Sequence, residues 1–104
     1  MKLEAVIALR ILEAREAAGL SQQALGVLVG IEEETAKVRI HQYEQGKHNP
    51  PMSMLEKIAT VLNKPTTWFM CPEDMREVLL SLHKLPVEQR AKALQQIEQS
   101  LKDN

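Results

Sequence analysis

Five side chains able to carry positive charge, Lys37, Arg39, His41, Lys47 and His48, fall within twelve residues and face only Glu44 as a local acid. Such a cluster attracts anions, and a nucleic-acid backbone is the polyanion best matched to grouped Lys and Arg. Taken alone, the same residues also describe an ordinary solvated helix face. Chemistry other than binding finds little support. His41 and His48 lack the Cys, His or carboxylate company that zinc requires. Cys71 is the sole cysteine, which excludes a disulfide within the chain. With no second thiol and no cationic cluster near it in sequence, it reads as a packing residue. Glycine-rich phosphate loops, nucleophile elbows and catalytic triads are all missing from the sequence. The expectation is a binding protein, not an enzyme, with no metal and no cofactor.

The elements that must position these residues all read as helix. Neither sustained period-two alternation nor β-branched clusters occur, so strands are not expected. Ile7, Ile11, Ala14 and Ala18 form a helical stripe that ends at Gly19. Ser21 is a good N-cap for a second helix that buries Leu25, Leu28 and Val29 and stops at Gly30. A third helix starts between Glu32 and Ala36 and ends at Gly46, with Ile40 and Tyr43 facing inward. The fourth opens on the capping box Ser53-Met54-Leu55-Glu56 and buries Leu55, Ile58, Ala59 and Leu62. A short fifth turn after Pro65 brings Trp68 and Phe69 to the base of the core. With Tyr43 they are the only aromatics, all at core positions, so no exposed platform remains for stacking single-stranded bases. After Pro72, Glu73 and Asp74 suit a first helical turn, and Met75, Val78, Leu79 and Leu82 form an apolar face. Pro86 begins another helix with Val87, Ala91, Leu94, Ile97 and Leu101 along one side. Residues 73–104 are expected as a helical hairpin or a two-helix extension.

Placing a helix in the major groove of duplex DNA makes specific demands. Two helices must approach closely, the bend between them must tolerate positive φ, and the second must bury one face while offering the other. Gly26 at the crossing, Gly30 at the bend and Ile40 as a buried anchor meet them, leaving Lys37, Arg39 and Gln42 outward. Gly19-Leu20-Ser21-Gln22, Leu25, Gly30, Ile40, Tyr43-Glu44, Gly46-Lys47 and Pro50 stand in order, followed by Leu55, Ile58-Ala59 and Leu62. Together they resemble the Cro/lambda-repressor type of helix-turn-helix, the XRE family, over roughly residues 6 to 70. The resemblance implies an all-α fold: a five-helix lambda-repressor-like DNA-binding domain over residues 1–71, with a C-terminal helical extension over 72–104.

Two departures from the family pattern stand out. Gly26 replaces the usual alanine, lowering helix propensity by about 1 kcal/mol. Ile40 falls four residues later than usual from the turn glycine, and Glu32-Glu33-Glu34-Thr35 accounts for the excess. Either the turn is longer or the third helix gains an N-terminal turn. The acids suit a helix start through the macrodipole; a sharper reading is that they suppress non-specific DNA affinity.

Carried across residue by residue, counting back from Ile40, the resemblance implies base-reading roles for Lys37, Val38, Arg39 and Gln42. Arg39 suits bidentate contact with guanine and Gln42 with adenine. Gln22, Lys47, His48 and Asn49 resemble backbone-contacting positions. Arg15 and Glu44 resemble the pair that ties the first helix to the end of the reading helix. A net charge of −1 does not by itself mark a nucleic-acid binder, so the expectation rests on the motif and the local basic cluster.

The expected activity is transcriptional regulation, as a repressor that occupies its operator. The expected partner is double-stranded DNA, bound by a homodimer to which residues 73–104 contribute, because one such module contacts only a half-site. The rival expectation is an antitoxin or adaptor of the same fold that masks a protein partner through Met75, Val78, Leu79 and Leu82. Glu4 and Arg10 interrupt the apolar N-terminal stretch, and no run is long enough to span a bilayer, so neither a secretory signal nor a membrane span is expected. Cytoplasmic placement follows as the expectation.

Overall fold

The computed structural model describes residues 2–103; residues 1 and 104 of the two expected domain spans lie outside that range. The described residues form six α-helices and two 3-10 turns, with no strand among them. The helices are α1 (Leu3–Ala17), α2 (Gln22–Leu28), α3 (Glu33–Glu44), α4 (Met52–Val61), α5 (Arg76–Lys84) and α6 (Val87–Asp103). The 3-10 turns, Thr66–Phe69 and Glu73–Met75, lie between α4 and α5.

Helices α1 to α4 and the first 3-10 turn enclose one core, in which Ile11, Leu25, Ile40, Ile58 and Phe69 have no exposed surface. Trp68 meets Phe69 edge-to-face, with ring centroids 5.0 Å apart, so the aromatic pair does close the base of the core. Ser21 caps α2 as expected: its Oγ accepts the Ala24 N–H at 2.9 Å. Gly30, at φ +93°, turns the chain after α2, and the following Ile31 N–H returns to the Gly26 carbonyl at 2.9 Å.

Several sequence expectations are corrected. Leu28 is 58% exposed rather than buried, because the short α2 turns only Leu25, Gly26 and Val29 inward. On α1 the buried line is Ala8, Ile11 and Ala14; Ile7 is half-buried and Ala18 exposed. Ser53 does not cap α4. That helix already begins at Met52, with Pro51 at the cap position and no side-chain capping bond; proline's fixed φ suits the entry and makes the box unnecessary.

A buried charge also escaped the sequence reading. Arg10 is 4% exposed, and its Nη1 donates to the Trp68 carbonyl at 2.7 Å and to Cys71 Sγ at 3.4 Å. Cys71, expected to lie apart from cations, therefore sits against a guanidinium supplied from 61 positions away. Lys64 and Arg76 lie 4.8 Å from the Trp68 ring centroid, within cation–π range. Among the described residues the Trp68 indole Nε1–H is the one buried side-chain polar atom without a partner.

Arg76 pins the start of α5 to α1, donating to Glu13 at 2.8 Å and to Glu73 at 2.9 Å. Burial pulls its pKa down, but the bonds to Glu73 and Glu13 outweigh that and hold it above the ordinary arginine value. The second half of the extension is different. Helix α6 makes only glancing contacts with the rest of the chain, and the molecule measures 55 × 29 × 22 Å. A radius of gyration of 16.0 Å exceeds the roughly 13 Å of a compact domain of this length. Within residues 73–103, α5 and α6 are two separate helices that share few contacts. Arg90 fixes the corner: its Nε donates to the carbonyls of Leu82 and Leu85 and its Nη2 to that of His83, at 2.8–3.0 Å. The Leu82 carbonyl also accepts the N–H of the cap residue Leu85 at 3.2 Å.

Candidate nucleic-acid interface

The site begins with the crossing of α2 and α3. A Cβ added at Gly26 would stand 2.6 Å from Ala36 Cβ and 2.8 Å from the Ala36 carbonyl oxygen. Real carbons do not approach so closely, so this position accepts glycine alone unless a backbone moves. Because α3 begins at Glu33, the surplus residues lengthen the helix instead of the turn. The helix so formed carries Ala36, fully buried, across α2 at Gly26. Gln23 Nε2 donates to the Glu33 carbonyl at 3.0 Å and ties the added turn to α2.

The far end of α3 is held by charge. Arg15 Nε donates to Glu44 Oε2 at 2.6 Å and Nη2 to Oε1 at 3.1 Å, a bidentate fork, while Nη1 donates to the Leu20 carbonyl at 2.8 Å. The Glu44 side chain is 1% exposed and that of Arg15 12%. The bond to Glu44 raises the Arg15 pKa above the ordinary arginine value, against the opposing effect of burial. Gln22 joins the network: its Nε2 donates to Glu44 Oε1 at 3.0 Å and lies 3.3 Å from His41 Nδ1. Its amide is thus partly engaged within the protein instead of wholly free for a ligand.

Between these fixed ends α3 turns Ala36, Ile40 and Tyr43 into the core. Lys37, Val38 and Arg39 are exposed and Gln42 is half-buried, on the remaining surface of the helix. Lys47, His48 and Asn49 are exposed in the loop that follows. Arg39 and Gln42 share one shallow cleft with His48 and Asn49, floored by Tyr43 and Pro51. Lys37 and Val38 lie outside that cleft. Two neighbours were given no base-reading or backbone-contacting role from the sequence. His41 stands beside Gln22, and Thr35 is exposed on the added turn. The spacing Thr35, Val38, Gln42 (i, i+3, i+7) is the signal that places Thr35 on the outer face. Among the described residues no group of three His, Cys, Asp or Glu side chains is arranged to hold a metal. No helix among them is long and apolar enough to cross a membrane. The arrangement presents hydrogen-bond donors, amides and cations on a pinned helix and an adjoining loop.

A helix-turn-helix family model matches residues 11–69. Among solved structures the chain is similar to the transcriptional regulator BswR, at 40% sequence identity with a TM-score of 0.77. That match covers 88% of this chain and 92% of the other. A search of curated proteins gave no match.

Proposed function

Since the chain belongs to the helix-turn-helix family of the Cro/lambda-repressor (XRE) type, we propose that it is a cytoplasmic transcriptional regulator that binds double-stranded DNA sequence-specifically. It acts as a repressor by occupying its operator, without a catalytic step. The observation that carries this reading is the pairing of a pinned α3 with an outward face of Lys37, Val38, Arg39 and Gln42, flanked by the Lys47–Asn49 loop. In this reading α3 lies in the major groove, Arg39 pairs with guanine and Gln42 with adenine. Lys47, His48 and Asn49 hold phosphates, joined by Gln22.

Residues 1–71 form the DNA-reading unit and 72–104 the assembly unit of a homodimer. Support comes from Val87, Leu94, Ile97 and Leu101, which are exposed along one side of α6, a helix that makes only glancing contacts with the other described residues. Burying such a stripe against its two-fold mate would bring two reading helices to one palindromic site.

A second reading is an antitoxin or adaptor that masks another protein through Met75, Val78, Leu79 and Leu82, on the second 3-10 turn and α5; it is favoured by the exposure of Met75 and Val78. Selecting bound duplexes from a random pool at two salt concentrations separates the two. Enrichment of a palindrome is expected, with Arg39→Ala relaxing the preference at one base position and Lys47→Ala weakening all sequences alike. No enrichment, with affinity that only collapses as salt rises, refutes specific regulation by the homodimer.

A further inference from the structure

On the outer face of α3 an apolar residue stands where polar ones would suffice. Val38 is 58% exposed, two positions from both Ala36 and Ile40, and so about 200° around the helix from these buried anchors. Thr35, three positions earlier, lies about 60° from Val38 on the same side and is exposed too. Its hydroxyl is turned back toward the Glu32 carbonyl at 3.4 Å, which leaves the methyl as the group it can offer outward. The added turn of α3 is held by the Gln23 bond to Glu33 and by the Gly26–Ala36 contact, so this pair sits on a fixed scaffold.

We infer that Thr35 and Val38 read thymine by apolar contact with its 5-methyl group, at two neighbouring base pairs in each half-site. Thymine's methyl is the one apolar feature of the major-groove edge and pairs with aliphatic side chains. Three residues of helix rise about 4.5 Å, against about 3.4 Å per base step, so the two side chains address successive pairs. The inference rests on α3 being the DNA-reading helix and adds the identity of the bases read. It also gives Thr35, on the added turn, a reading role.

The test uses the full-length protein and its selected duplex, with each thymine of one half-site replaced in turn by deoxyuridine, which removes only the methyl. Binding is expected to weaken about fourfold at each of two adjacent positions, the worth of one buried carbon group. Val38→Ala should abolish the loss at one of them and Thr35→Ser at the other. Both side chains are exposed, so thermal melting of the variants should match the parent. Sequence-specific binding that ignores every deoxyuridine, or losses that persist in both variants, overturns this inference and leaves α3 as the reading helix. Failure to select any duplex overturns both.

Discussion

At Gly26 a single missing methyl decides how two helices meet. Placing alanine there improves helix propensity by about 1 kcal/mol, yet its Cβ would meet Ala36 at 2.6 Å and the Ala36 backbone below 3.0 Å. Overpacking of a rigid contact costs about 1–3 kcal/mol, so Gly26→Ala should lower stability in urea unfolding. The double variant Gly26→Ala/Ala36→Gly should recover part of the loss; an unchanged midpoint for Gly26→Ala would disprove the contact. Glu44 makes the opposite case, in which removal is the injury. Its carboxylate accepts from Arg15 twice and from Gln22 once with almost no water around it. Glu44→Ala strands the Arg15 guanidinium and should cost about 3–5 kcal/mol, read from the same unfolding curves. Arg15 has a folded-state pKa raised above its unfolded value. Its stabilisation is therefore fully present below the ordinary arginine value and is lost only as pH rises through the folded one. Arg15 itself thus adds no pH dependence near neutrality.

At the scale of elements, signals carried by neighbours in sequence were the legible ones. Ser21, Gly30 and Gly46 mark the ends of α2 and α3, because capping and positive φ are local requirements. The position of the proposed reading surface follows from Ile40 and Tyr43, since a helix with two anchored residues has little freedom of rotation. What failed to show depended on distant partners or on competing local rules. Arg10 shows in the sequence only as a break in the apolar N-terminal stretch, and partners about 60 positions away, the Trp68 carbonyl, Cys71 and Glu73, make its burial tolerable. Ser53 marks a start for α4 through its capping box, but Pro51, two residues earlier, takes the cap position. The four surplus residues fit either a loop or a helix turn; the decision came from α2, through Gln23 and Gly26, rather than from the acids themselves. Amphipathic spacing likewise identifies an apolar stripe on α6 but not what covers it.

For the whole molecule, the proposed homodimer makes that stripe the place to test. The core is complete without α6, so charges placed on its apolar side should spare the fold. Leu94→Asp combined with Ile97→Asp is expected to leave the helices of residues 3–84 and their thermal transition close to the parent. The same variant should run as a monomer in light scattering and bind the selected palindrome about a hundredfold or more weakly, because the second half-site no longer benefits from tethering. A dimer that survives both substitutions would place the assembly surface elsewhere.

The Gly26–Ala36 contact also sets a rule for building chimaeras. A scaffold with alanine at the crossing cannot seat this longer α3 without moving a backbone, whatever residues its outer face carries. Transplanting the helix alone would therefore shift or unseat it. The portable cassette is α2 together with α3, residues 22–44, moved as one piece with its glycine.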